Sequence, residues 1–215
     1  MNILVVGNER NGQECREKFG TEHTWWRVSN YQEAQDYLET TEVIFDFIPG
    51  PTLDVKIFTH QIVFLNTTFI TLSTLLKNSS ASRASFFGFC GLPTFLNRER
   101  LEVSVANEGD VAGLKEICGR LNTMYSLVAD TVGMVTPRIV CMIINEAYYT
   151  VAEGTATRSD IDLAMKLGTN YPYGPFEWAE RIGLNEVYEV LLAVHTTTRD
   201  ERYLICPLLK KEAGF

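Results

Sequence analysis

Apolar and polar positions along the chain follow two regimes. In the first half, short apolar runs alternate with polar helical stretches. Ile3-Leu4-Val5-Val6 is followed by a helix over 13–19, a strand over 24–28 and a helix over 31–39, opened by Asn30 with Glu33 three residues on. Further strands are expected at 43–48, 61–65, 84–89 and 101–105, with a short helix over 71–77. Asp110 is placed to cap a helix whose Val111, Leu114, Ile117, Cys118 and Leu121 share one face, and 125–128 reads as a last strand. Near-continuous apolar strands alternating with helices predict a parallel sheet covered on both faces.

From Thr136 the pattern is helical only. Thr136-Pro137 supplies a capping hydroxyl and a proline for the first helical position, and the helix over 138–153 is apolar around almost its whole circumference, so it should be deeply buried. Gly154 should stop it. Thr157 with Asp160 resembles a capping box for a helix over 159–167, ended by Gly168. Tyr171-Pro172-Tyr173-Gly174-Pro175 leads into a short helix ending at Gly183, and 184–194 is the last clear helix. The expectation is an α/β domain at 1–130 and an all-α domain at 131–215, with the boundary inside 129–135.

Composition narrows the function classes. The chain has 215 residues, 46% apolar and 21% charged, long enough for one sizeable core or two small ones. A net charge of −8 without a Lys/Arg run argues against nucleic acid or an anionic membrane surface as partner. No apolar stretch approaches the roughly 20 residues of a membrane span. The first apolar run starts at Ile3, so no signal or transit peptide is expected. The cysteines, Cys15, Cys90, Cys118, Cys141 and Cys206, form no CxxC pair, so neither a disulfide framework nor a metal site is expected, and a cytoplasmic location fits.

Gly7-Asn8-Glu9-Arg10-Asn11-Gly12 sits between a buried strand and an amphipathic helix, where a dinucleotide-binding turn would stand. Such a turn is normally G-x-G-x-x-G, whose middle glycine lets backbone approach a pyrophosphate. Gly7 and Gly12 hold the outer positions and Glu9 the middle one, which adds bulk and negative charge. No acid ends the second strand, where Trp25-Trp26-Arg27-Val28-Ser29 stands. Arg27 is compatible with a ribose phosphate, which would favour NADP, or with plain solvent exposure.

The second half carries a resemblance. Glu146-Ala147, Glu153-Gly154-Thr155-Ala156-Thr157, Asp160-Ile161-Asp162-Leu163-Ala164-Met165-Lys166-Leu167-Gly168 and Tyr171-Pro172-Tyr173-Gly174-Pro175-Phe176-Glu177 closely resemble the C-terminal domain of the 3-hydroxyacyl-CoA dehydrogenases, as does Pro207-Leu208-Leu209-Lys210-Lys211. In the first half Leu65-Asn66-Thr67-Thr68 resembles that family's S-N-T-S, and the stretch from Gly88-Phe89-Cys90 to Leu101-Glu102-Val103 its G-L-H…V-E-V. The resemblance implies a truncated Rossmann-like sheet domain ahead of the helical one, NAD or NADP as cofactor, an acyl-CoA-type small molecule as ligand, and a homodimer through the helical domain. The segment between the second strand and Val43 is short, where the family has a helical excursion near the CoA.

Transferred by position, the family's orienting glutamate falls on Glu102, twelve residues after Cys90, which stands where the catalytic histidine belongs. The family's serine falls on Thr68, which keeps its hydroxyl, and its cofactor-contacting lysine on Lys56. One family asparagine becomes Pro137, another becomes Pro93, and a glutamate becomes Pro51. A thiol has a reference pKa of about 8.5, and a neighbouring carboxylate raises it, so Cys90 is a poor base; a small buried filler is the plainer reading. Thr68 could equally cap the helix that follows, and Glu102 could face water. His23 and His60 precede strands, at the wrong edge of the sheet for ligands, and His195 follows a helix. The resemblance thus implies a 3-hydroxyacyl-CoA dehydrogenase-like oxidoreductase, impaired or altered, with Thr68, Cys90 and Glu102 as candidate catalytic residues and Gly7, Gly12 and Lys56 as candidate cofactor contacts. The alternative is a non-catalytic descendant that binds a nucleotide, an acyl-CoA or a partner protein.

Overall fold

Strand β1 (Asn2–Val6) sends Ile3 and Val5 into one hydrophobic cluster and Leu4 and Val6 into another. A strand buried on both faces can do this because successive side chains point to opposite sides. The same alternation runs through β3 (Val43–Asp46) and β4 (Ile62–Asn66): Phe45 and Phe64 join the first cluster, Ile44, Val63 and Leu65 the second. The first cluster is built on stacked rings, Phe19 on Phe45 and Phe45 on Phe64, each pair with centroids 4.8 Å apart. The computed structural model describes residues 1–50, 53–77 and 83–215; Pro51 lies outside them.

The chain divides into two units, Met1–Met134 and Val135–Phe215. In the first unit the remaining elements are α1 (Glu9–Phe19), β2 (Thr24–Val28), α2 (Tyr31–Leu38), α3 (Leu72–Leu75), β5 (Ser85–Phe89), β6 (Arg100–Val105), α4 (Val111–Arg120) and β7 (Met124–Leu127). The sheet order is β2-β1-β3-β4-β5-β6-β7. The expected parallel arrangement holds from β2 to β5. Strand β6 runs antiparallel to β5, and β7 parallel to β6, so the last two strands are reversed. The reason lies in the connections: no helix separates β5 from β6, and a parallel return needs a crossover of a dozen or more residues, whereas α4 supplies one between β6 and β7. The connection from β1 leads outward to β2 while β3 lies on β1's other side, so the carboxyl ends of β1 and β3 form the switch point at which such sheets take ligands.

Helix α1 begins earlier than the apolar pattern indicates, because Asn8 and Asn11 form a reciprocal capping box that starts the helix at Glu9. Thr71, not Thr68, caps α3. Asp110 does not cap α4 through its side chain; its carboxylate accepts from the Asn107 amide (3.3 Å) at the start of a single 3₁₀ turn.

The second unit consists of α5 (Thr136–Ala152), α6 (Arg158–Thr169), α7 (Pro175–Ile182), α8 (Leu184–Thr198) and α9 (Pro207–Glu212). Helix α5 buries only part of its circumference, through Val140, Cys141, Ile144 and Tyr148; Ile139 stays 54% exposed. Helix α6 continues through Gly168, and Asn170 ends it in the left-handed conformation at φ 56°. His195 lies in the last turn of α8 rather than beyond it. Asp162 accepts from the amides of Phe176 (2.8 Å) and Glu177 (3.2 Å), fixing the start of α7 onto α6.

Candidate functional site

Asn66, the last residue of β4, organises the carboxyl ends of the central strands. Its Oδ1 accepts from the Thr68 amide (3.2 Å), the Thr68 hydroxyl (2.6 Å) and the Gly91 amide (2.9 Å), and its Nδ2 donates to the Phe47 carbonyl (3.1 Å). Gly91 has to be glycine, since a Cβ there would stand 2.6 Å from the Asn66 side-chain carbon. One buried amide thereby links the segments after β3, β4 and β5. Sequence reasoning included Asn66 only as part of a resembling tetrapeptide; its partners Phe47 and Gly91 lie 19 and 25 residues away, beyond any local pattern.

This framework brings Thr68 and Cys90 together, with Oγ1 and Sγ 3.6 Å apart and both residues buried. The Thr68 hydroxyl has one proton, and its short contact to Asn66 directs it there. The Cys90 thiol is held protonated: burial pushes its pKa up to about 12, with the Glu102 carboxylate adding to the rise and the Leu92 amide, the Thr68 hydroxyl and Arg98 opposing it. Both contacts run from the Thr68 hydroxyl, the short one to Asn66 Oδ1 and the longer one to Cys90 Sγ. Glu102 lies half-buried in the middle of β6, within electrostatic reach of both Cys90 and Arg98. The Arg98 guanidinium lies 4.0 Å from the Phe95 ring centroid, and its own pKa is lowered by burial, against the pull of Cys90 and Glu102.

The other sequence candidates fall elsewhere. Gly7 follows β1, and a Cβ there would meet Asn11 Oδ1 at 2.6 Å and Phe47 Cβ at 3.2 Å, so this glycine makes room for the capping asparagine. Gly12 lies inside α1 beneath the Arg27 stem, 3.3 Å from where its Cβ would be. Lys56 is exposed in the 3₁₀ turn Val55–Ile57, and its amide donates to Asp54. Pro93 is half-buried in the loop after Cys90, and Pro137 occupies the first turn of α5 in the second unit. His23 and His60 do precede β2 and β4.

A nicotinamide dinucleotide, which the resemblance implies, needs free amides at the start of α1 and room for its pyrophosphate. The Asn11 amide is engaged by Asn8 Oδ1 (3.0 Å) and the Asn8 amide by Asn11 Oδ1 (2.9 Å), while Glu9 forms an ion pair of 2.8 Å with Arg27 across the turn. As folded, these residues do not form a pyrophosphate cradle.

Two further groups at this end of the sheet escaped the sequence reading. Asp46, fully buried at the end of β3, accepts from the Tyr31 hydroxyl (2.9 Å) and the Ile48 amide (3.0 Å); burial raises its pKa to about 7 despite those two bonds. Glu14 on α1 bridges Arg10 (3.1 Å) and the amide of Thr94 (3.1 Å), so α1 grips the loop that follows Cys90. Among the described residues no group of His, Cys, Asp and Glu is placed to hold a metal ion, and no helix is long and apolar enough to cross a membrane.

Comparison with known proteins places this geometry in a lineage. Residues 133–213 match the family described as 3-hydroxyacyl-CoA dehydrogenase, C-terminal domain. Over 86 residues the chain is 43% identical to the 3-hydroxyadipyl-CoA dehydrogenase of Escherichia coli (strain K12), covering 40% of this chain and 18% of that protein. Over 200 residues it is 29% identical to the mitochondrial hydroxyacyl-coenzyme A dehydrogenase of Mus musculus, covering 87% of this chain and 62% of that one. The crystal structure of the (S)-3-hydroxybutyryl-CoA dehydrogenase of Ralstonia eutropha shares the fold, with a TM-score of 0.73 at 21% identity over 98% of this chain and 92% of that one. The chain spans less than two thirds of the length of the curated relatives it matches.

Proposed function

We propose that this chain, which belongs to the 3-hydroxyacyl-CoA dehydrogenase family through the domain at residues 133–213, is an oxidoreductase-like protein of acyl-CoA chemistry with impaired turnover. The reaction of the family type is interconversion of a 3-hydroxyacyl-CoA and a 3-oxoacyl-CoA. Its ligand-facing end would receive the acyl-CoA near Thr68, Cys90 and Glu102. The observation that carries the impairment is the burial of Cys90, with the Thr68 hydroxyl 3.6 Å away, at the position the resemblance gives to the base. A base must accept a proton from the 3-hydroxyl, yet a thiol with a pKa of about 12 is ionised in only about one molecule in 10⁵ at pH 7. Thr68, in turn, has no proton left to offer a substrate oxygen. Of the family's cofactors, NAD or NADP, either would meet the Glu9 carboxylate and the closed Asn8 and Asn11 amides at the start of α1.

The test is acetoacetyl-CoA reduction followed through NADH and NADPH absorbance, beside calorimetric titration of acetoacetyl-CoA alone. Loss of a positioned base removes about 10²–10⁴ in rate, so the wild-type protein should bind the thioester and turn over at least that far below the ordinary range of about 1–10³ per second. Turnover within that range, abolished by Glu102→Ala, would instead establish a working dehydrogenase.

A second reading, a non-catalytic dimeric interaction protein, is favoured by Leu163 and Leu167, one helical turn apart on α6 and 53% and 79% exposed. Sedimentation that gives a single 24.3 kDa species would remove it.

A further inference from the structure

The residues at the start of α1 do more than fail to form a cradle; they supply an internal occupant for it. The Arg27 guanidinium crosses the turn, donating to the Gly7 carbonyl (3.2 Å), the Ser29 hydroxyl (3.0 Å) and Glu9 Oε1 (2.8 Å). Among the described residues Glu9 is anchored at that one contact, its side chain 87% exposed at the helix N-terminus. The amides of Asn8 and Asn11 are closed by their own side chains. Beside the turn lies an open cavity of about 550 Å³ where Glu9 and Glu17 offset Arg16 and Arg27, so the cations there have acids for neighbours. A carboxylate thus stands at the positive end of α1, and a cation already answers it.

We infer that Glu9 is the residue that decides nucleotide use: paired with Arg27, it occupies the charge position of a pyrophosphate and keeps NAD(H) and NADP(H) from binding. A pyrophosphate approaching this turn meets Glu9's negative charge first and finds Arg27 engaged. It must also displace the Asn11 side chain, which lies against Gly7. Because the Glu9 side chain is solvent-exposed, its pair with Arg27 contributes little to stability, so a change at Glu9 should leave the fold intact. The Asn8–Asn11 box is untouched by changes at Glu9, which makes Glu9 the separable element.

This inference rests on the family assignment but not on the state of Cys90, since nucleotide binding involves no proton transfer. The experiment is titration of NADH into the full-length protein, followed by nicotinamide fluorescence and by calorimetry, with NADPH in parallel. Three proteins are compared: wild type, Glu9→Gln, which keeps the bulk and removes the charge, and Glu9→Gly, which removes both. Thermal unfolding midpoints confirm that all three are folded. The expected result is no saturation of the wild type up to about 1 mM, with affinity gained in the order Gln then Gly, at least about tenfold for Gly. Saturation of the wild type below about 0.1 mM would overturn the inference, and so would a Glu9→Gly protein as empty as the wild type. Either failure leaves the thioester titration and the Cys90 reading where they stand.

Discussion

The two units differ in where their family likeness resides. In the helical unit the matching residues hold the fold: Asp162 receives the first amides of α7, Lys166 pairs with Glu177 at 2.6 Å, and Glu177 in turn accepts from Gly174. In the α/β unit the ligand-facing end of the sheet holds Glu9 in the glycine turn, paired with Arg27, and Cys90 beside Thr68. A domain match at 133–213 therefore speaks for ancestry, while activity has to be read from the carboxyl ends of β1, β4 and β5.

Each unit also contains a buried asparagine that ties distant backbone, and these give the sharpest way to break the comparison. Asn66 serves four groups and Asn145 two, the Leu204 carbonyl and the Cys206 amide. Asn66→Ala leaves the Thr68 and Gly91 amides and the Phe47 carbonyl without their partner, and should cost about 3 kcal/mol or more in denaturant unfolding. Asn145→Ala should cost about 1–3 kcal/mol by the same reasoning. Equal losses would mean that the central-strand framework is no more tightly built than the helical unit.

A smaller, pH-dependent effect belongs to the α/β unit alone. Burial raises the Asp46 pKa from 3.8 to about 7, so between those values the folded state holds a proton that the unfolded chain has lost. Its stabilising contribution is complete below about pH 4 and declines as pH rises to about 7, with a slope of at most about 1.4 kcal/mol per pH unit. Asp46→Asn should flatten that decline, as read from unfolding midpoints between pH 5 and 8. A decline of the same slope in the variant would assign the effect to other groups.

Much of this architecture is legible in the chain, and the exceptions share a cause. The strands announce themselves as apolar runs, and Asn30 and Thr157 cap helix starts as expected. Local chemistry suffices there. Thr136, by contrast, is the first residue of α5 rather than its cap, and Val135 stands at the cap without a side-chain bond. The reversal of β6 follows from the absence of a crossover helix, which periodicity does not weigh. The start of α1 was hidden because Asn8 and Asn11 cap each other in a segment that reads as a glycine turn. Thr68, Cys90 and Glu102 were reachable only through the family register, and the Asn66 hub that holds Thr68 and the Gly91 amide depends in part on partners far along the chain. Asp46 with Tyr31, 15 residues apart, is legible only once β3 and α2 are folded.

The claim on which the account turns is that the position of the expected base holds a neutral thiol. Ultraviolet titration of thiolate absorbance, taken as the difference between the wild type and Cys90→Ala, isolates this group from the other cysteines. The account predicts no Cys90 ionisation below about pH 10 in the folded protein. A Cys90 thiolate forming below pH 8 would contradict it and return this residue to candidacy as a base.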